Sequence, residues 1–313
     1  MKTIKNFISL LFAMAMLVSC NKVTYRKTAG GMPYQLYPGK GTQKIYAGNI
    51  VKYNVIYKVK DSVFFSSFGK LPAYMPVNQV AEPYDISEVW TKLKVGDSVV
   101  TTQMMDTFIK RSPQNIPPRF KKGDRIITYL KVLDVFLSDS AMTVDEEKEK
   151  KKFLAGEIDF LEKYLANQNI KTEKTPSGAF VQIINPGAGN LIDSGKYVSV
   201  KYTGTSFSGK RFDSNTDSSF HHMEPLSFTV NGNQMMKGFD EAMMLLRPGS
   251  SAKVYIPSLL GYGPNPDPRT GIKPFEHLIF DIVVTDVKDK APEQKPEQRP
   301  KKEIKVDAAQ PKK

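Results

Sequence analysis

The sequence predicts an α+β protein made of two similar domains, each an antiparallel sheet wrapped on a short helix, joined by a charged amphipathic helix. Two observations in residues 172–288 predict the domain type. Phe180 to Ile184, Tyr197 to Tyr202, Leu226 to Val230, Ala252 to Ile256 and Leu278 to Val287 are short alternating or apolar runs that read as strands. Met236, Phe239, Met243 and Leu246 instead recur at helical spacing between Gln234 and Leu246, and Pro248-Gly249 stops the helix. Several strands and one helix bury their apolar faces together only as a sheet packed on that helix.

The third observation is an internal repeat. Tyr37-Pro38-Gly39, Gly48 and Val51-Lys52-Tyr53 parallel Asn185-Pro186-Gly187, Gly195 and Val198-Ser199-Val200. Ile86-Ser87-Glu88-Val89-Trp90 to Gly96 parallels Phe239-Asp240-Glu241-Ala242-Met243 to Gly249. Ile126-Ile127-Thr128-Tyr129 to Val135 parallels Leu278-Ile279-Phe280-Asp281 to Val287. Three blocks in one order at a nearly constant offset place a first domain over residues 32–138 and a second over 172–288.

Residues 139–171 read as the connecting helix. Thr143 and Glu146 make a capping box, and Asp145, Glu146 and Glu147 suit the positive end of a helix starting there. Leu154, Ile158, Leu161 and Leu165 form one apolar stripe. The stripe has two candidate partners: a second copy of the chain, giving a homodimer, or the chain's own domains.

The first 19 residues read as an export signal. Lys2 and Lys5 precede an apolar run from Phe7 to Val18, which at roughly 12 residues is too short to span a bilayer. Leu17-Val18-Ser19-Cys20 resembles a bacterial lipobox, in which the cysteine becomes the first mature residue and carries lipid. Cys20 is the chain's single cysteine, so no disulfide is expected within it. By resemblance to sorting in Gram-negative envelopes, Asn21 after it favours the outer membrane, and the lack of a following acidic cluster resembling a surface-export signal favours its periplasmic face. Residues 20–31 read as a tether, and 289–313, rich in Lys, Glu, Pro and Gln, as a disordered basic tail. The net charge of +13 is scattered, and export separates the chain from nucleic acid, so a nucleic-acid partner is not expected.

The most specific motif is Val200-Lys201-Tyr202-Thr203-Gly204 followed by Gly209-Lys210-Arg211-Phe212-Asp213-Ser214. Val198, Val200 and Tyr202 alternate as a strand, Thr203-Gly204 and Ser208-Gly209 bracket a turn, and Phe212 and Asp213 return beside Tyr202. This pattern resembles the FKBP-type peptidyl-prolyl cis-trans isomerases, and the resemblance covers the whole second domain. It implies a prolyl pocket lined by Tyr202, Phe212, Asp213, Met236, Phe239, Tyr262 and Phe280, with Leu226, Met235 and Ile272 contributing to substrate binding. Phe239 would be its floor and Phe280 a side wall. The Met236 N–H and the Tyr262 hydroxyl, in Gly261-Tyr262-Gly263-Pro264, would hold peptide carbonyls. The implied substrate is a proline-containing polypeptide, unfolded or newly exported, and no metal or cofactor is required. His221-His222 has no cysteine or carboxylate at ligand spacing and reads as an exposed loop pair.

The first domain places Val55 where the second has Tyr202, Phe65 for Asp213, Ile86 for Phe239 and Thr128 for Phe280. Ile116-Pro117-Pro118-Arg119 stands in place of Gly-Tyr-Gly. The expectation is a retained fold without the pocket, with Trp90 in the core. Non-catalytic alternatives are a peptide-holding chaperone and a scaffold lipoprotein of the cell envelope.

Overall fold

Alternation along the strands builds two sheets. The computed structural model describes residues 24–60, 62–78, 83–116 and 120–292. The signal segment 1–19, Cys20, Pro117-Pro118-Arg119 and residues 293–313 of the basic tail lie outside the described residues. The chain divides into two units between Ala155 and Gly156.

In the first unit the described strands are β1 (Thr24–Lys27), β2 (Pro33–Tyr37), β3 (Ile50–Val59), β4 (Ser62–Ser66), β5 (Ala73–Pro76), β6 (Ser98–Met104) and β7 (Arg125–Phe136). They order as β1-β2-β6-β7-β3-β4, with β5 also on β3. Residues 24–27, expected in a tether, are thus an edge strand, antiparallel to β2 with Thr24 opposite Leu36. The core gathers Val51, Tyr53, Val55, Val89, Trp90, Leu93, Val99, Leu130 and Val132. Trp90 is buried, its ring 5.1 Å edge-on from Tyr53. A short helix, α1 (Met105–Arg111), follows β6.

The second unit repeats this order. Its strands are β8 (Glu173–Lys174), β9 (Phe180–Asn185), β10 (Tyr197–Ser206), β11 (Arg211–Ser214), β12 (Leu226–Thr229), β13 (Ser251–Ile256) and β14 (Leu278–Lys288). They order as β8-β9-β13-β14-β10-β11, with β12 also on β10. Even the bulges match: β3 slips against β7 between Lys52 and Tyr53, and β10 against β14 between Ser199 and Val200. β10 alternates half-buried and buried positions along its length, so Val198, Val200, Tyr202, Gly204 and Ser206 share the inner face. The strand runs through Thr203-Gly204 to Ser206, and only Ser208-Gly209 lies in the turn to β11.

Between these strands α2 spans Asp139–Asn167 and α3 spans Lys237–Met243. α2 begins earlier than the capping-box reading: Ser138 Oγ accepts from the Ala141 N–H at 3.3 Å, while the Thr143 hydroxyl donates to the Asp139 carbonyl from inside the helix. A capping pattern one turn into a charged helix gives the same sequence signal as a true start. Asp145 serves another purpose, accepting from the Tyr74 hydroxyl at 2.7 Å and pairing with Lys52 at 2.6 Å; Glu149 pairs with the same lysine at 2.8 Å. From Gly156 on, the apolar stripe lies on the second unit's own core, where Leu161 and Leu165 are buried with Phe180 and Tyr255, and Ile158 packs beside them. From Gly156 on, the stripe is therefore covered by the chain itself.

α3 is shorter than the Gln234–Leu246 spacing suggested. Met236 is extended and caps the helix, and Met244 to Leu246 close as a tighter turn on Glu241, Ala242 and Met243. Leu246 is still buried, which is why the helical period persists past the helix. Gly238 permits a close approach to β13, since a Cβ there would fall 2.5 Å from Ile256 Cγ2. This brings Phe239 down onto the sheet.

Candidate functional site

Tyr202 is fixed before it reaches the site. Its N–H donates to Asn215 Oδ1 at 2.6 Å, and the Asn215 N–H donates back to the Tyr202 carbonyl at 3.1 Å. The Asn215 amide also donates to the Val200 and Glu224 carbonyls, both at 3.0 Å, so one buried side chain holds the β11–β12 connection against β10. The Tyr202 hydroxyl then donates to Asp213 Oδ2 at 2.6 Å. The other carboxylate oxygen lies 2.7 Å from His222 Nε2. Burial first, and the Asp213 hydrogen bond second, push the Tyr202 phenol well above its ordinary range, so it stays a donor at neutral pH.

Around this pair the aromatic rings close mostly edge to face. Phe280, on β14, is the hub, with its centroid 5.0 Å from Phe239, 5.6 Å from Phe212 and 6.1 Å from Tyr202. Phe212 reaches outward to Tyr262 at 6.1 Å, and Phe228 supports Phe239 from below at 5.9 Å. Phe239 and Phe280 are buried, Phe212 and Asp213 half-buried, and Tyr262 exposed at the mouth. Such contacts add about 0.5–1.5 kcal/mol each beyond area burial. The result is an apolar-walled site with one end wet.

Two donors, one at the cap of α3 and one at the mouth of the site, have no internal partner among the described residues. The Met236 carbonyl accepts from Phe239 and Asp240 N–H, both at 3.0 Å, but its own N–H has no hydrogen-bond acceptor among the described residues. The same holds for the Tyr262 hydroxyl, whose pKa is raised by burial first and by the charge of Asp213 second. The structure thus joins Tyr202, Phe212, Asp213, Phe239, Tyr262 and Phe280 by ring contacts and hydrogen bonds, with Met236 at the cap of α3. Leu226 is half-buried opposite Val200, Met235 is half-buried just before α3, and Ile272 is buried in the loop before β14.

Four residues of the site escaped the sequence reading. Phe228 shares its strand face with Leu226, a signal alternation could have given. Asn215 follows Ser214 directly. His222, read as one of an exposed loop pair, is bonded to Asp213, and nothing local to His221-His222 reveals it. Gly204 is the fourth: a Cβ there would meet Phe212 Cζ at 2.7 Å and Phe280 Cε1 at 2.9 Å, so only glycine lets both rings close.

The first unit keeps the strand order and registers with other side chains, and has two tight 3-10 turns, Ile86–Glu88 and Trp90–Lys92, where the second has α3. Val55 stands opposite Leu130 as Tyr202 stands opposite Ile282. Phe65 and Thr128 both face Tyr57, as Asp213 and Phe280 both face Gly204. Ser67 takes the part of Asn215, accepting from the Val55 N–H at 2.9 Å. The Tyr57 ring lies 6.0 Å from Phe65.

The family model described as FKBP-type peptidyl-prolyl cis-trans isomerase matches residues 189–285, which include every site residue named above. A Neisseria meningitidis serogroup B protein named FK506-binding protein is 33% identical over 110 residues, 35% of this chain and 96% of the relative. The chain belongs to the FKBP-type peptidyl-prolyl cis-trans isomerase family. The FKBP-type isomerase FkpA of Escherichia coli K12 is 34% identical over 130 residues, 42% of this chain and 44% of FkpA. The outer membrane protein MIP of Legionella longbeachae is 37% identical over 116 residues, 37% of this chain and 47% of MIP. The chain therefore spans under half the length of FkpA and MIP.

Within this FKBP-type unit, Gly204→Ala is expected to destabilise by about 1–3 kcal/mol through forced displacement of Phe212 and Phe280. A urea melt checks this, and an unchanged midpoint would mean that the rings move aside freely.

Proposed function

We propose that the second unit catalyses cis-trans isomerisation of X–Pro peptide bonds. The observation that carries this is the ring cluster around Phe280 with the Tyr262 hydroxyl at its edge, unpartnered among the described residues like the N–H of Met236, the cap residue of α3. Family membership supports the same reading.

Rotation about the X–Pro amide is slow because conjugation gives the C–N bond partial double-bond character, with a barrier of roughly 18–20 kcal/mol. At the twisted transition state conjugation is lost, and the carbonyl carries less charge than in the planar amide. Phe212, Phe239, Phe280 and the ring of Tyr202 exclude water, so a polar planar amide loses more solvation there than a twisted one. The Met236 N–H and Tyr262 hydroxyl fix the flanking carbonyls, so binding favours the twisted geometry. Asp213 orients Tyr202 and is itself held by His222. The chemistry breaks no bond and calls for no nucleophile, metal or cofactor.

The first unit keeps the strand order and lacks the site, with Val55, Phe65, Ile86 and Thr128 at its positions and Tyr57 in place of Gly204. We read it as catalytically silent. The substrates are proline-containing polypeptides, unfolded or newly exported, met in the cell envelope. The export signal and the lipobox-like Leu17 to Cys20 support attachment by lipid on Cys20 at the periplasmic face of the outer membrane. That one relative is named an outer membrane protein agrees with an envelope location.

Cis-to-trans rates on a proline tetrapeptide test this. The full chain is expected to accelerate the reaction, and Tyr262→Phe to lower kcat/KM roughly two- to thirteenfold, the worth of one hydrogen bond of about 0.5–1.5 kcal/mol. No acceleration by the wild type would overturn the catalytic reading in favour of a non-catalytic peptide binder or scaffold.

A further inference from the structure

We infer that Glu157, on the connecting helix, is a positioning residue for the Tyr262 turn. The inference rests on the isomerase reading for its meaning, though its geometry stands apart from it.

Tyr262 follows a tight turn, Ser258–Leu260, and Ser258 is the point on which that turn is hung. The Ser258 carbonyl accepts from the N–H groups of both residues flanking Tyr262, Gly261 at 3.0 Å and Gly263 at 2.8 Å. The Gly263 carbonyl in turn accepts from the Phe275 N–H at 2.9 Å. The place of Ser258 therefore sets the place of Tyr262.

Ser258 is itself fully buried, and Glu157 reaches it from α2. The Ser258 hydroxyl donates to Glu157 Oε1, and the Leu259 N–H donates to Glu157 Oε2 at 3.1 Å. One carboxylate thus satisfies two donors at the start of a helical turn that lacks a side-chain cap of its own. The Ser258 N–H is taken by His277 Nδ1 at 3.1 Å, which fixes that ring with Nδ1 as acceptor. The His277 ring stacks on Phe160, one turn along α2 from Glu157, and meets Phe207 edge-on. Burial raises the Glu157 pKa and lowers that of His277, with their nearest atoms 3.8 Å apart.

A buried carboxylate is a costly way to pack a helix, since an aliphatic side chain could fill the place without desolvating a charge. Its two bonds go to the residues that carry the Tyr262 turn. The helix is in this way part of the machinery that places the pocket's hydroxyl donor.

The test uses the full chain with Glu157→Ala, Glu157→Gln and Ser258→Ala. Glu157→Ala is expected to lower kcat/KM roughly tenfold, because misplacement of about 1 Å can cost up to a hundredfold. Glu157→Gln, which keeps an acceptor, is expected to recover most of that loss, and Ser258→Ala to fall between. The deciding measurement is the double variant. If Glu157 acts through Tyr262, then Glu157→Ala costs nothing further in a Tyr262→Phe background, whereas a general loss of stability costs the same in both. Backbone amide resonances of Gly261 and Gly263 give a readout independent of activity, and are expected to shift in Glu157→Ala. An equal loss in both backgrounds, or unmoved Gly261 and Gly263 resonances in folded protein, overturns the inference. Absence of isomerase activity in the wild type would defeat the functional reading instead, and the resonances would then decide the positioning by themselves.

Discussion

Full-length protein carrying Phe212→Ala is expected to lose roughly tenfold or more in kcat/KM on a proline peptide, about 1.4 kcal/mol of transition-state stabilisation. Phe64→Ala, at the matching register of β4, is expected to change it by less than about twofold. Phe212 lies between the buried hub Phe280 and the exposed Tyr262, closing over Gly204. Removing it opens the pocket to water at the point where the amide must be desolvated, and frees Tyr262 from its ring contact. Because Phe212 is only half-buried, its loss costs the fold less than loss of Phe239 or Phe280, so activity falls before the unit does. In the first unit Phe64 neighbours Phe65 where the second has Asp213, and no phenol stands at Val55 to be oriented. A protease-coupled rate assay with parallel melts checks both variants. An equal drop from Phe64→Ala, with the second unit folded, would move the active site to the wrong half of the chain and defeat the assignment.

What could be read from the sequence was whatever is local or periodic. Four of the five strands read in the second unit lie where alternation put them to within a residue, because one face of each must be buried, while β10 runs four residues past Tyr202. The pairing of Tyr202 with Val55 and of Phe280 with Thr128 agrees with the observed registers, since a repeat that keeps its bulges keeps its numbering. What could not be read depends on contacts between distant segments. Thr143 and Glu146 spell a helix start, yet the helix already runs through them, because Ser138 supplies the cap. His222 finds Asp213 only through the path of a loop that Asn215 and Lys201 pin in place. The apolar stripe on α2 fits two partners equally well as a pattern, and only the packing of Leu161 and Leu165 on Phe180 and Tyr255 shows that its second half meets the chain's own core.

The two units also share a device that the function does not explain. Glu88 is buried and accepts from the Thr28 hydroxyl at 2.6 Å and from the Gly30 and Tyr84 N–H groups at 2.6 and 2.8 Å. Glu241, paired with Glu88 in the repeat, is buried likewise and accepts from the Ser177 hydroxyl and N–H at 2.5 and 2.9 Å. Each carboxylate closes a loop that Thr28 or Thr175 shapes by the same two bonds, to Met32 and to Ala179. The pocket residues differ between the copies while this clasp does not, as expected if it belongs to the fold. Glu88→Ala is therefore expected to cost the first unit about 3 kcal/mol or more, because it strands two buried donors, on Thr28 and Tyr84, and the half-buried Gly30 N–H at once. Trp90, the chain's single tryptophan, is buried in that unit, so its fluorescence in a urea melt reports the loss directly. Burial pushes the Glu88 carboxyl up, but the bonds from Thr28, Gly30 and Tyr84 outweigh it and hold the pKa below the ordinary 4.5. A carboxyl depressed by folding contributes stability above its unfolded pKa and loses it as pH falls through the folded value. The Trp90-reported stability is thus expected to fall below about pH 4.5, and Glu88→Gln to flatten that limb. A Glu88→Ala midpoint equal to wild type would mean that the clasp holds nothing, and that the glutamate pair is not a feature of the shared fold.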